Sequence, residues 1–153
     1  MTAAIDRTSE EQRAAIAEFV RDRAAALDRG ETDIRTDIAR TGELGLLRKG
    51  LSGECLSEMV AVIDEVAAES LTVGFSLWAQ RMALEYIDRA PQFLRDRYRD
   101  DLASGRTIGV TAMAAALKHL AGLGELPLVA ERTTTASPSP ARSTGRPTSF
   151  PTR

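Results

Sequence analysis

Apolar residues recur at helical spacing over the first hundred positions, in segments separated by glycine or proline. This periodicity predicts five helices, at about 9–28, 33–41, 54–69, 72–89 and 91–103. Ser9 and Gln12 form a capping-box sequence at the start of the first helix. Ser52 is expected to cap the third helix, and Pro91 suits the first turn of the fifth.

The apolar stripe of each predicted helix identifies the expected core. In the fourth helix the apolar arc is broad, which indicates burial on more than one side. Its main stripe is Leu71, Phe75, Trp78, Met82 and Tyr86. Across the bundle we expect eight side chains to be largely buried: Phe19, Leu46, Met59, Ile63, Phe75, Trp78, Met82 and Leu102.

The pattern changes after Gly105, where β-branched residues are concentrated at 107–111 and predict a strand that reaches about residue 113. Residues 112–117 either prolong this strand or begin a helical turn, whereas 118–124 are loop-like. A second short strand fits 126–130. The predicted fold is therefore mainly α: a bundle of about five helices, one or two short strands and a disordered tail.

Composition narrows the function classes. With 20 basic and 22 acidic residues, the net charge of −2 gives no electrostatic support for a nucleic-acid partner. No apolar run is long enough to span a membrane, and no signal peptide is visible, so a cytoplasmic location is expected. A single cysteine, Cys55, and a single histidine, His119, exclude an internal disulfide and argue against a metal site. Cys55 lies on an apolar stripe and is predicted to be a small core residue, and His119 a solvated loop residue.

Residues 132–153 differ sharply in composition from the rest of the chain. All 22 acidic residues precede position 132, whereas 14 of the last 22 residues are Ser, Thr or Pro. One interpretation is a disordered extension. The other is a shifted reading frame, because codons for 133–149 read one base upstream permit Asp-Trp-Ala-Ser-Asn-Leu at 144–149. The predicted organisation is 1–105 helical, 106–131 the start of a β domain, and 132–153 the tail.

The order of these elements, with a charged helix begun by proline and followed by a strand, resembles the N-terminal part of the acyl-CoA dehydrogenase family. Four stretches carry the resemblance: Glu43-Leu44-Gly45-Leu46-Leu47, Met59–Ser70, Leu71–Ile87 and Phe93–Val110. Two departures indicate a divergent branch. The loop at 48–53 is shorter than usual in the family, and 111–119 lacks the family's Leu-Thr-Glu-Pro segment.

The resemblance implies a function. Family members bind FAD and remove an α-proton and a β-hydride from an acyl-CoA thioester. It implies flavin contacts at Thr111, Met113 and Ala114, and acyl-pocket contacts at Phe75 and Trp78. The catalytic base belongs to the family's C-terminal domain, so no catalytic residue is assigned here, and this chain is expected to be inactive. Intact relatives are expected to be homo-oligomers.

Two alternatives remain open. Related branches of the same superfamily are flavin-dependent monooxygenases or oxidise nitroalkanes. An alternative of another class is a stand-alone helical interaction module with a disordered tail, for which the helices would need no cofactor.

Overall fold

A computed structural model describes residues 2–126 of the chain, with side chains from Ser9 onward. Within this range the chain is mainly helical, which confirms the predicted fold class. Six α-helices follow in order: α1 Thr2–Asp28, α2 Arg35–Glu43, α3 Ser57–Glu69, α4 Leu71–Asp88, α5 Gln92–Ala103 and α6 Met113–Leu120. A 3-10 turn, Leu46–Arg48, lies between α2 and α3.

The helices form close to the predicted positions, but neither Ser9 nor Ser52 caps the helix that was predicted for it. The α1 helix begins before Ser9, so Ser9 is not its N-cap; its buried hydroxyl lies 3.4 Å from Arg13 Nη1 and accepts a hydrogen bond. Ser52 precedes α3 by a loop and has a φ of 59°, and it binds Asp88 instead of capping α3. Ser70 is a side-chain N-cap of α4, where its Oγ accepts from Val73 N at 3.4 Å.

The first five helices enclose one hydrophobic core. The α3 helix packs against both α1 and α4, and α5 packs against α4. Of the eight side chains expected inside, Leu46, Met59 and Leu102 are fully buried. Phe19 and Ile63 are half-buried against the core, and Trp78 and Met82 are half-buried as well. The expectation is wrong for Phe75, which is 65% exposed.

The orientation of α4 explains this error. The buried face of α4 carries Val73, Leu77 and Leu84 instead of the predicted aromatic stripe. Gly74 lies against α3, where a Cβ added to it would meet the Ala67 Cβ at 2.6 Å. The two helices approach so closely that no larger residue fits at this contact, and the bulky residues of α4 are left on the other side.

Gln80 is the polar centre of this packing. Its side chain is fully buried and its Nε2 donates to Leu102 O and to Thr107 O, both at 2.9 Å. Its Oε1 accepts from Gly109 N at 2.6 Å. One carboxamide therefore joins α4 to the end of α5 and to the segment that follows α5.

The predicted strand at 107–113 is wrong within the described residues. Residues 106–112 form no strand, and 113–120 form α6. A strand requires a neighbouring strand to bond its backbone, and here the Gln80 side chain takes that place. Of the two interpretations left open for 112–117, the helical one is confirmed, and the loop expected at 118–124 begins only after Leu120. The second strand and the tail lie outside the described residues, except for Leu126.

A buried ion pair joins α1 to α2. Asp37 is fully buried, and its Oδ1 accepts from Arg23 Nε at 3.0 Å. The same guanidinium donates to Thr32 Oγ1 at 2.8 Å and lies over the Phe19 ring, 5.4 Å from its centroid. Because a buried carboxylate without a partner is strongly unfavourable, this contact fixes the loop between the two helices.

The chain divides into two compact units, one ending at Thr111 and the other beginning at Ala112. The described part of the second unit is α6 and the turn after it. Met113, Leu117 and Leu120 of α6 are exposed. Leu123 N donates to Lys118 O at 2.8 Å and closes the helix end.

We expect Gln80→Met to destabilise the protein by about 1–3 kcal/mol, because the substitution keeps the shape of the buried side chain but removes its three hydrogen bonds to the backbone. Denaturant unfolding followed by circular dichroism measures the loss. Gln92→Met is the matched control, since Gln92 is exposed and bonds only neighbours on its own helix. Equal effects of the two substitutions would contradict the role given to Gln80.

Candidate functional site

The outer face of α4 carries the apolar stripe that was expected inside. We define this face by five residues: Leu71, Phe75, Trp78, Met82 and Tyr86. Leu71 is 78% exposed, Phe75 65% and Tyr86 57%, while Trp78 and Met82 are half-buried. None of the five is charged. A row of apolar side chains on one exposed helix face is typical of a binding surface.

The two predicted acyl-pocket residues lie side by side on this face. The ring centroids of Phe75 and Trp78 are 5.6 Å apart, with their planes inclined at 33°. Since they are three positions apart on α4, one turn of helix brings them together. The pair forms one apolar wall that could contact an acyl chain, and a second wall must come from another element.

The three predicted flavin contacts lie at the end of the first unit and the start of α6. Thr111 is half-buried, and Met113 and Ala114 are exposed in the first turn of α6. The first backbone N–H groups of a helix have no carbonyl partner within it, so Met113 and Ala114 present donors of the kind that flavin carbonyls accept. Their contact with flavin stays a prediction.

A polar cavity of about 740 Å³ lies beside the C-terminal end of α4. It is lined by Ser52, Gly53, Glu85, Asp88, Arg89, Gln92, Arg95, Asp96, Arg99 and Asp100. Three arginines thus face four carboxylates. Arg89 Nε bonds Glu85 Oε1 at 2.6 Å, and Arg99 Nε bonds Asp88 Oδ1 at 2.5 Å. The charges of the cavity are largely neutralised by one another.

Asp88 is the structural centre of this cavity. Its side chain is 8% exposed, and its Oδ2 accepts from the Ser52 backbone N at 3.0 Å and from Ser52 Oγ at 3.1 Å. Burial alone would raise the pKa of Asp88, but hydrogen bonds from Arg99 and Ser52 outweigh it and hold the pKa below its ordinary value. Asp88 therefore attaches the loop before α3 to α4 and α5.

The hydrogen bonds among the lining residues hold this cavity together. Ser52 Oγ is the one hydroxyl beside a carboxylate in the lining, and it donates to Asp88 Oδ2, while Arg99 bonds the other oxygen of Asp88. In the part of the chain that the structure describes, no cluster of His, Cys, Asp and Glu could hold a metal ion. We therefore assign the cavity a structural role and place the candidate functional site on the outer face of α4.

Cys55 and His119 are both exposed. The prediction of Cys55 as a core residue is wrong, because α3 begins two residues later and Cys55 remains in the loop. Its sulfur lies 3.1 Å from Ser57 Oγ, and this hydrogen bond lowers the pKa of the thiol. His119 belongs to the last turn of α6, and its Nδ1 lies 3.2 Å from Gly124 O.

Comparison with known protein families, with curated proteins and with solved structures finds no match to this chain. Among residues 2–126, no helix has the length and apolar character required to cross a membrane.

The residues that organise the site were missed in the sequence. Gln80 and Arg81 lie in the middle of α4, and both are buried. Their signal was the presence of two adjacent polar residues in the middle of a helix with a broad apolar arc. Asp88 carried no comparable signal, because an aspartate at a helix end is usually solvated.

We expect Asp88→Asn to reduce the free energy of unfolding by about 1–3 kcal/mol at neutral pH, because hydrogen bonds to the charged carboxylate are lost. The lowered pKa stabilises the wild-type fold above the unfolded-state pKa of about 4, and this contribution is lost as pH falls through the folded-state value. The two proteins should therefore converge in stability below about pH 4.

Denaturant titrations at several pH values measure this difference. Asp96→Asn is the control, because Asp96 lines the same cavity but is exposed. A wild-type advantage over Asp88→Asn that persists undiminished at acid pH would contradict the assignment.

Proposed function

We propose that the first unit is the N-terminal helical part of a flavin-dependent, acyl-CoA dehydrogenase-like oxidoreductase, whose intact form catalyses α,β-dehydrogenation of an acyl thioester. The observation that carries the proposal is the contact on α4 between Phe75, which is exposed, and Trp78, which is half-buried. The residues that the family resemblance implied for the acyl pocket lie together on an accessible apolar surface. The order of the first five helices supports the same proposal.

In this proposal the described residues bind and orient the substrate. Phe75 and Trp78 contact the acyl chain, exclude water from it and gain the free energy of its burial. Thr111, Met113 and Ala114 donate hydrogen bonds to the flavin from their backbone amides. FAD, when bound, supplies the acceptor for the β-hydride. The carboxylate that accepts the α-proton is not assigned to any residue of this chain.

A helical interaction module is the second candidate function. The same outer face of α4 favours it, because a surface formed by Leu71, Phe75 and Tyr86 can pack against a protein as well as an acyl chain. Flavin binding distinguishes the two candidates, since an interaction module requires no cofactor.

We expect the purified chain to retain no stoichiometric FAD and to show no turnover of acyl-CoA with an artificial electron acceptor. The family resemblance assigns the base and much of the dinucleotide site to a C-terminal domain, so residues 1–153 by themselves are not expected to hold FAD or to orient a substrate. Flavin absorbance after gel filtration and an acceptor-reduction assay measure both properties. Bound flavin or turnover would contradict this expectation.

The nucleotide sequence around codons 132–153 tests the proposal directly. We expect a second open frame, one base upstream, that continues past codon 153. A gene joined to that frame should produce a protein that binds FAD and whose flavin is reduced by acyl-CoA. A requirement for reduced flavin and oxygen would identify a monooxygenase instead, and oxidation of nitroalkanes a nitroalkane oxidase. The absence of a second open frame would favour the interaction module.

The frame-restored protein also tests the two pocket residues. We expect Phe75→Ala and Trp78→Ala to lower kcat/KM for long-chain acyl-CoA by about tenfold or more, because about 2 kcal/mol of acyl-chain burial is lost. Short-chain substrates should be affected less. Phe93→Ala is the matched control, since Phe93 is 61% exposed on α5, away from the pair. Equal losses for all chain lengths would contradict a role in the acyl pocket.

A further inference from the structure

We propose that the outer face of α4 is a self-association surface, on which two copies of this chain pack α4 against α4 in antiparallel orientation around a two-fold axis. The axis passes between Trp78 and Ala79. This inference does not depend on the proposed enzymatic function, and the pairing would compete with an acyl chain for Phe75 and Trp78.

The residues of the outer face, together with the half-buried Ala79 beside them, are spaced symmetrically about that axis. Leu71, Phe75 and Trp78 are separated by four and three positions, and the second half repeats these separations in reverse through Ala79, Met82 and Tyr86. An antiparallel two-fold therefore places Leu71 opposite Tyr86 of the second copy. It likewise places Phe75 opposite Met82, and Trp78 opposite Ala79.

These pairs are complementary in size and chemistry. A large ring meets a small methyl group where Trp78 faces Ala79, so the helices can approach at the axis. Phe75 facing Met82 is a sulfur–aromatic contact, which is favourable for an unbranched thioether. Because each contact occurs twice, the face is complementary to itself, as a two-fold interface requires.

The area is sufficient for a weak dimer. Aromatic side chains bury about 150–250 Å² each, so the exposed parts of the five residues can remove roughly 500 Å² per copy from water. Two copies together bury roughly 1,000 Å², which is close to the lower bound for a specific protein interface. An interface of this size is typical of weak association, so we expect a dissociation constant in the micromolar range or above.

The charge distribution favours a protein copy over a lipid surface. A helix that binds a membrane surface carries Lys or Arg along its flanks. The α4 helix has Arg81, which is 6% exposed, and is followed by Arg89, which is paired with Glu85. Since none of the five residues of the outer face is charged, pairing two copies brings no like charges together on this face.

Sedimentation velocity of the full chain, from about 1 µM to about 300 µM, tests the pairing across its expected dissociation constant. We expect a concentration-dependent monomer–dimer equilibrium. Phe75→Glu should raise the dissociation constant by about tenfold or more, because it buries an unpaired charge. Phe93→Glu, at a similarly exposed phenylalanine, should change it less than about twofold. Circular dichroism verifies that both variants remain folded.

A charge-pair experiment tests the orientation. Leu71→Glu and Tyr86→Lys are each expected to weaken the dimer, because each places an unpaired charge in the apolar interface. Both positions are exposed in the monomer, so the substitutions should leave the fold intact. The double variant should recover most of the affinity, because antiparallel packing places each Glu opposite a Lys. Parallel packing would place like charges together and give no recovery.

Trp78 provides an independent measurement, because it is the single tryptophan of the chain. Its emission should shift to longer wavelength on dilution of the wild type and should not depend on concentration in Phe75→Glu. A monomer at all concentrations, a dimer insensitive to Phe75→Glu, or a double variant no tighter than the singles would overturn the proposal.

Discussion

The hydrogen bonds of the buried Gln80 carboxamide are the interaction on which the arrangement of the first unit most depends. They bind Thr107 O and Gly109 N, the carbonyl and amide on either side of Ile108. A parallel neighbouring strand bonds a residue in the same way, through the carbonyl before it and the amide after it. A single side chain of α4 thus acts as the neighbouring strand for 107–109, while its second donor binds Leu102 O at the end of α5.

Because the Gln80 side chain takes the place of a neighbouring strand, the strand predicted from the sequence at 107–113 does not form. The β-branched residues at 107–111 were interpreted as a strand, and a single chain shows no signal for a glutamine 27 positions away that would bond their backbone. Local patterns were sufficient for the five helices, because glycine or proline separates most of them and their periodicity is strong. Caps were less predictable, since Ser9 and Ser52 have the right chemistry but bind other partners.

In the candidate site, too, contacts within one helix were predictable from the sequence, whereas contacts with distant parts of the chain were not. The sequence identified Phe75 and Trp78 as neighbours, because residues three positions apart on a helix are adjacent whatever the helix packs against. It placed them inside because α4 is apolar on nearly every side, and periodicity alone does not choose among its faces. The choice depends on Gly74, where α3 approaches, and on Gln80, whose bonding partners come from another part of the chain. The charged residues around Asp88 were unpredictable for the same reason, because Ser52 and Arg99 reach it from distant positions.

The close packing at Gly109 restricts which residues can occupy this position in evolution. A Cβ at this position would lie 2.4 Å from the Ala83 Cβ and 3.0 Å from Leu102 Cδ2. The backbone reaches Gln80 only because both position 109 and position 83 are small. Positions 80, 83 and 109 should therefore covary among homologues. Where residue 80 is not glutamine, larger residues should be tolerated at 83 and 109. Where residue 83 or 109 is larger, the backbone can no longer reach the side chain at 80, and glutamine should no longer be conserved there.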